Sequence, residues 1–334
     1  MHPGPGVSRR QFLATSAIAA AGALHGTRAS ATPPSPGKAQ IAITLDLEMS
    51  RNFPVWEETR WDYEKGNLND ETKQYTVEAC RRVKHHGGRL HCFAVGQVFE
   101  QPDVDWLRKI AEAGHPIGNH TYDHVNVTAT QPRDIQFRFQ RAPWLIEGRT
   151  PADVIRDNVR LCSAALQERA GVKAAGFRTP GGFANGLSDR PDVQRMLLDL
   201  GFTWVSSVYR PHALGEPMVQ PTAAVYEEIV AAQSRSQPFA YDTGLIEVPM
   251  SPPSDITAFR GGRWQLPWFK DAVRRGVAWA IEHRAAYDFL GHPSCLYVTD
   301  PKFEVIEMIC QMVADAGDAA ELVDLDALAR RATT

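Results

Sequence analysis

Apolar and polar positions along this chain alternate between two rhythms. Short runs dense in β-branched and aromatic residues, such as 40–46 (QIAITLD) and 89–95, predict strands. Longer stretches in which apolar residues return every three or four positions predict helices. The helical rhythm covers 72–86 through Val77, Cys80 and Val83, and stops at Gly87-Gly88. It returns over 104–113, ended by Gly114, and over 151–170, where Val154, Val159, Leu161, Ala165 and Leu166 form the inner side. Helices are also expected at 192–200, 270–287 and 302–316, and strands at 174–177, 202–208, 245–250, 288–291 and 321–325, the last followed by 327–331. Residues 130–148 are aromatic but follow neither period. No hairpin signal of the Asn-Gly type joins the strands, so the alternation predicts a parallel α/β arrangement in a single domain.

Composition narrows the class. Of 334 residues, 43% are hydrophobic and 22% charged, as in a globular enzyme with a large core. A net charge of −3 and a pI near 6.4 give no reason to expect a nucleic-acid partner. The start of the chain reads as a targeting segment. Ser8-Arg9-Arg10-Gln11-Phe12-Leu13 is a twin-arginine pattern, an Ala-rich run follows over 14–24, and Ala29-Ser30-Ala31 offers a cleavage site. The apolar run is too short to span a bilayer, so no stable membrane span is expected after cleavage. The organisation expected is a leader over 1–31, a linker over 32–39 and a catalytic domain over 40–334. The twin-arginine export machinery is then a partner, and the destination is periplasmic or extracellular. Five cysteines, Cys80, Cys92, Cys162, Cys295 and Cys310, lie in apolar contexts without C-x-x-C spacing and are expected as buried free thiols.

Polar residues follow several of the strands. Asp46 and Glu48, at i and i+2, point the same way at the end of the first strand. His120 and His124 are four residues apart; one turn of helix there would set both imidazoles on one face, in a chelating geometry. Arg178 and His292 end two later strands. In parallel barrels the C-terminal strand ends gather at one mouth, so these distant residues can meet.

In motif order and spacing these residues resemble the polysaccharide deacetylase family (carbohydrate esterase family 4). The resemblance runs from about Ile41 to Leu325. It rests on Thr44-Leu45-Asp46-Leu47-Glu48, on the stretch from Gly114 to His124 (GHPIGNHTYDH), on Phe177-Arg178-Thr179-Pro180-Gly181-Gly182 and on Leu290-Gly291-His292-Pro293. It implies a distorted parallel (β/α) barrel of about seven strands. It also implies a divalent metal held by Glu48, His120 and His124, with zinc as the default ion and cobalt, nickel or manganese also suited. Asp46 matches the general base, His292 the general acid, and Arg178 the residue orienting the base. Gly181, beside Pro180, matches the backbone N–H that holds the oxyanion. The implied reaction is hydrolysis of a non-peptide C–N bond, foremost N-deacetylation of an amino-sugar polymer.

The chain departs from the family pattern twice. Members usually carry adjacent aspartates in the first motif, whereas here Leu47 separates Asp46 from Glu48. The fourth motif normally supplies an Asp and a Trp near the strand at 202–208; Trp204 is present, as a candidate to line the acetyl pocket or equally as a buried core residue, but no Asp stands there. Trp56, Trp61, Trp264 and Trp268 are candidates for stacking on sugar rings, or for packing under long loops. Two other readings stay open: the same metal site acting on a cyclic ureide or small-molecule amide, and a glycan-binding protein with a degenerate site.

Overall fold

The computed structural model describes residues 37–59 and 65–332. The expected leader, residues 32–36 of the linker, Trp61 and Tyr63 lie outside the described residues.

The first strand, β1 (Ala39–Leu47), is buried along nearly its whole length, as a β-branched run must be when both faces are covered. It pairs in parallel with β2 (His91–Ala94) through Thr44–Leu47 and with β8 (Ala286–Gly291) through Gln40–Leu45. Beyond β2 come β3 (Ile117–Asn119), β4 (Phe177–Phe183), β5 (Trp204–Val208) and β7 (Ile246–Glu247), all parallel. The two-residue β6 (Phe239–Ala240) is antiparallel to β7, and β9 (Ala320–Val323) shares the edge of β1. Past β7 the chain bridges Met250 to Tyr209 and Ser251 to Phe289, bringing the two ends of the curled sheet together. The strands β1 to β5, β7 and β8 thus form the distorted barrel of seven expected from the motifs.

Helices α1 (Asp70–His85), α2 (Asp105–Glu112), α3 (Pro151–Ala165) and α4 (Pro191–Asp199) lie where the periodicity puts them. Asn69 caps α1 by accepting from Thr72 N, and Thr150 with Asp153 makes a capping box on α3. The inner side of α3 differs from expectation at one place: Leu161 is 42% exposed and Cys162 is buried instead. A helix missed in the sequence, α5 (Ala223–Gln233), is apolar on most sides and lacks a clear period. Helix α6 (Leu266–Glu282) begins and ends earlier than expected, leaving Tyr287 to β8. The short α7 (Pro293–Thr299), α8 (Glu304–Ala316) and α9 (Leu325–Arg331) complete the layer. Leu325, Leu328 and Ala329 of α9 pack with Ala42, Phe93, Trp204 and Val248 under the N-terminal end of the strands. All five cysteines are free and buried. Among the described residues, no helix is long and apolar enough to cross a membrane.

Candidate active site

The histidine stretch is not helical. After β3 the backbone turns through the left-handed region at Thr121 (φ 60°) and His124 (φ 56°), a conformation that costs a β-branched residue about 1–3 kcal/mol. A dense set of hydrogen bonds enforces it. Asn119 Oδ1 accepts from Thr121 N at 2.8 Å, and Thr121 Oγ1 accepts from Val125 N at 3.0 Å. The Thr121 and Tyr122 carbonyls accept from Gly96 N and Gln97 N, and Asn158 holds Tyr122 N and Asp123 N. The loop sets the two imidazoles 5.0 Å apart, tilted by 68°. Helical spacing would have stacked them along one face; the loop converges them on a point.

That point is Glu48. Its Oε2 lies 2.5 Å from His124 Nε2 and 3.6 Å from His120 Nε2. His120 Nδ1 is 3.0 Å from the Arg178 carbonyl, which can only accept, so Nδ1 carries the proton and Nε2 offers its lone pair to the cluster. Burial, foremost, depresses His124 to about 4, so its ring is neutral at pH 7. Burial would raise Glu48, but His124 and Lys65 outweigh it and hold the carboxyl well below its usual range. Glu48 Oε2 is nevertheless buried without a hydrogen bond. One atom from each of Glu48, His120 and His124 lies within 4.8 Å of the other two. Two imidazoles and a carboxylate whose Oε2 lacks a hydrogen bond form a donor set suited to a divalent cation.

Beside this cluster stands Asp46, 4% exposed. Its Oδ2 is 3.8 Å from His120 Nε2 and 4.0 Å from His292 Nε2, while Oδ1 accepts from Arg178 Nη1 at 3.1 Å. Arg178 has no exposed surface, which demands charge and hydrogen-bond compensation. The partner expected near 202–208 comes from elsewhere: Asp288 Oδ2, on β8, accepts from Arg178 Nη2. Thr44 Oγ1 accepts from Nη1 at 2.7 Å, Ser206 Oγ from Nε at 3.2 Å, and the guanidinium lies 4.4 Å over the Phe93 ring. Burial pushes Asp288 up to about 6, so it remains a carboxylate at pH 7.

His292 is held from behind by Asp255, whose Oδ1 faces Nδ1 at 2.8 Å and whose Oδ2 accepts the His292 N–H at 2.7 Å. Burial alone would lower the imidazole; Asp255, with Asp46 and Glu48, raises it above its ordinary value. Gly181 lies in the irregular stretch of β4 between Arg178 and Phe183 at φ 80°, with open space where a side chain would be, and Pro180 precedes it in buried backbone.

Trp204 is 4% exposed. It sits at the start of β5, against Phe93 and His91, and donates from Nε1 to Asp326 at 2.8 Å. It packs in the buried cluster with Ala42, Phe93 and Leu328, the core role that the sequence left open beside the pocket role. Trp264 is likewise core, donating to the Leu214 carbonyl. Trp56 is 39% exposed, with Arg263 over its ring at 4.0 Å. Sequence reasoning missed Asp255, Asp288 and Lys65. A lone Asp inside the apolar run Ala286–Gly291 was a usable signal, since a buried carboxylate requires a cation. Lys65 gave none.

Residues 63–196 match the family profile described as polysaccharide deacetylase. That stretch, under half of the chain, is similar to the polysaccharide deacetylase family. His120, His124 and Arg178 fall inside the matched stretch, while Asp46, Glu48 and His292 lie outside it and are joined to them by geometry. Among solved structures, a polysaccharide deacetylase candidate from Mycobacterium smegmatis is similar at 17% identity and TM-score 0.58, over 90% of this chain and 94% of that one. Another candidate, from Pseudomonas aeruginosa PAO1, is similar at 14% identity and TM-score 0.55, over 87% and 89%. PuuE allantoinase is similar at 14% identity and TM-score 0.56, over 90% and 93%. At such identities these likenesses show a shared fold. Among curated protein sequences none matches this chain.

Proposed function

We propose that this chain is a polysaccharide deacetylase-like hydrolase that is exported, depends on a divalent metal, and removes N-acetyl groups from an amino-sugar polymer. One observation carries the reading: Glu48, His120 and His124 converge beside a separate carboxylate, Asp46, and an imidazole, His292, whose proton affinity is raised. Glu48, His120 and His124 are the proposed ligands, with zinc as the default and cobalt, nickel or manganese compatible with the same donors. When bound, such an ion polarises an amide carbonyl and acidifies the attacking water.

The side chains supply the rest. Asp46, aimed by Arg178, takes the proton from water as it attacks the acetamide carbon. The Gly181 N–H, at the end of the strand that carries Arg178, donates to the developing oxyanion. Protonated His292 gives its Nε2 proton to the departing amine nitrogen, and Asp255 stabilises the imidazolium until it does. Atoms balance: acetate and a free amine leave, and the proton taken by Asp46 replaces the one given by His292. The twin-arginine pattern over 8–13 and the cleavage site at 29–31 support export to the periplasm or beyond through the twin-arginine machinery.

Metal analysis paired with acetate release from chitooligosaccharides or peptidoglycan fragments tests the reading. His120→Ala should lose bound metal, whereas Asp46→Asn should keep it and lose turnover by about 10²–10⁴-fold. Equal metal loss in both variants would remove Asp46 from the role of base. Metal without acetate would favour a cyclic ureide or small amide as substrate, and a chain that takes up no metal would favour a glycan-binding protein.

A further inference from the structure

Glu48 uses its two oxygens differently. Oε2 faces the histidine pair, while Oε1 is in contact with Lys65 Nζ and lies 3.9 Å from His292 Nε2. The Lys65 and Glu48 side chains are 5% and 6% exposed. An ammonium is buried only where strong compensation awaits it, and here the compensation is a proposed metal ligand.

The backbone fixes Lys65 in place. Its carbonyl accepts from Met49 N at 2.9 Å, tying it to the residue after Glu48. Next to it, Gly66 packs so closely on Gln97 that a Cβ would lie 2.3 Å from Gln97 Cβ and 2.7 Å from Val98 N. Gln97 in turn holds the histidine loop through the Tyr122 carbonyl and Asp123 Oδ1. The lysine is therefore built into the same scaffold as the imidazoles it faces across Glu48.

We infer that Lys65 is a positioning residue that holds Oε1 away from the ion and partly neutralises Glu48, so that the site binds its metal through one oxygen and less tightly than the bare donors would. This rests on the metal-binding reading above. It gives the separated Asp-x-Glu pattern a physical role: the longer Glu reaches the histidines, and the lysine restrains its free oxygen. A carboxylate already paired with an ammonium gives up less electron density, which leaves a bound cation more electron-poor and a stronger polariser of a carbonyl.

The test is zinc affinity, measured by competition with a chromophoric chelator on the metal-stripped full chain. Lys65→Gln keeps a hydrogen-bond donor without the charge, Lys65→Met removes both, and Lys65→Arg keeps the charge. Removing a like charge from the neighbourhood of the cation should tighten binding by roughly tenfold or more in Lys65→Gln and Lys65→Met. Lys65→Arg should stay near the wild type. A merely structural lysine would give the opposite sign, because loosening the loop weakens chelation. Weaker or unchanged affinity in Lys65→Gln overturns the inference, even if Lys65→Met fails to fold. Zinc uptake by the neutral variants alone would support it in its strongest form. Absence of zinc from wild type and variants alike would overturn the metal reading along with it.

Discussion

His292 sits between opposing influences, and its use as an acid depends on which prevails. Burial favours the neutral ring, while Asp255 at 2.8 Å favours the cation and wins. An acid must be protonated to act, so a raised proton affinity carries activity further into the alkaline range. Asp255→Asn removes the stabilising charge, and the alkaline limb of the kcat/KM profile should move to lower pH. A limb left in place would mean that another group donates the proton. Asp288 matters in a different way. It shares the guanidinium of fully buried Arg178 with Asp46, and truncating one partner of a buried charge cluster costs about 3–5 kcal/mol. Asp288→Ala should show that loss in urea unfolding. Asp46, Glu48 and His292 were visible in the sequence because each follows an apolar strand. Asp255 was not, because it caps a short π-helical turn, Ile256–Gly261, just after Pro252-Pro253, with no strand or helical period to place it.

At the level of elements, hydrophobic rhythm located most strands and helices, and it failed where tertiary contacts overrode local spacing. The histidine loop shows why. Four-residue spacing suits a helix, but Thr121 and His124 adopt positive φ because Asn119, Asn158 and the Gly96–Gln97 backbone consume the polar groups that a helix would pair internally. Trp204 kept two open roles in the sequence for a related reason: strand alternation gives a face but not which layer of the barrel a residue occupies. Phe202 to Val208 was read as one strand, and its Trp lies at the entry while Ser206, two residues on, reaches Arg178. Trp204→Phe loses the Asp326 hydrogen bond and some packing, and should cost about 1–2 kcal/mol in thermal unfolding. The Michaelis constant should not change; a large rise would return Trp204 to the substrate pocket. The strap carrying Lys65 is equally specific. Gly66→Ala would press a methyl into Gln97 backbone and should lower both stability and zinc affinity.

For the molecule as a whole, seven strands from distant parts of the chain deliver the site to one mouth, with β1 and β8 neighbours although their residues are more than two hundred positions apart. Coupling between ion and fold follows. At a free concentration a hundred times its dissociation constant, a bound ion stabilises the native state by about 2.7 kcal/mol, so chelation should lower the melting temperature of the wild type and leave that of His120→Ala unmoved.

The other mouth is stoppered by α9, whose Leu325, Leu328 and Ala329 cover Phe93, Trp204 and Val248. A nascent chain therefore carries an unsealed tube until residues 325–331 have left the ribosome, and its lower ring of aromatic and branched side chains stays wet until then. Closure of this barrel is tied to that one helix, and a version halted after Val323 should bind a hydrophobic dye that the chain carrying α9 ignores.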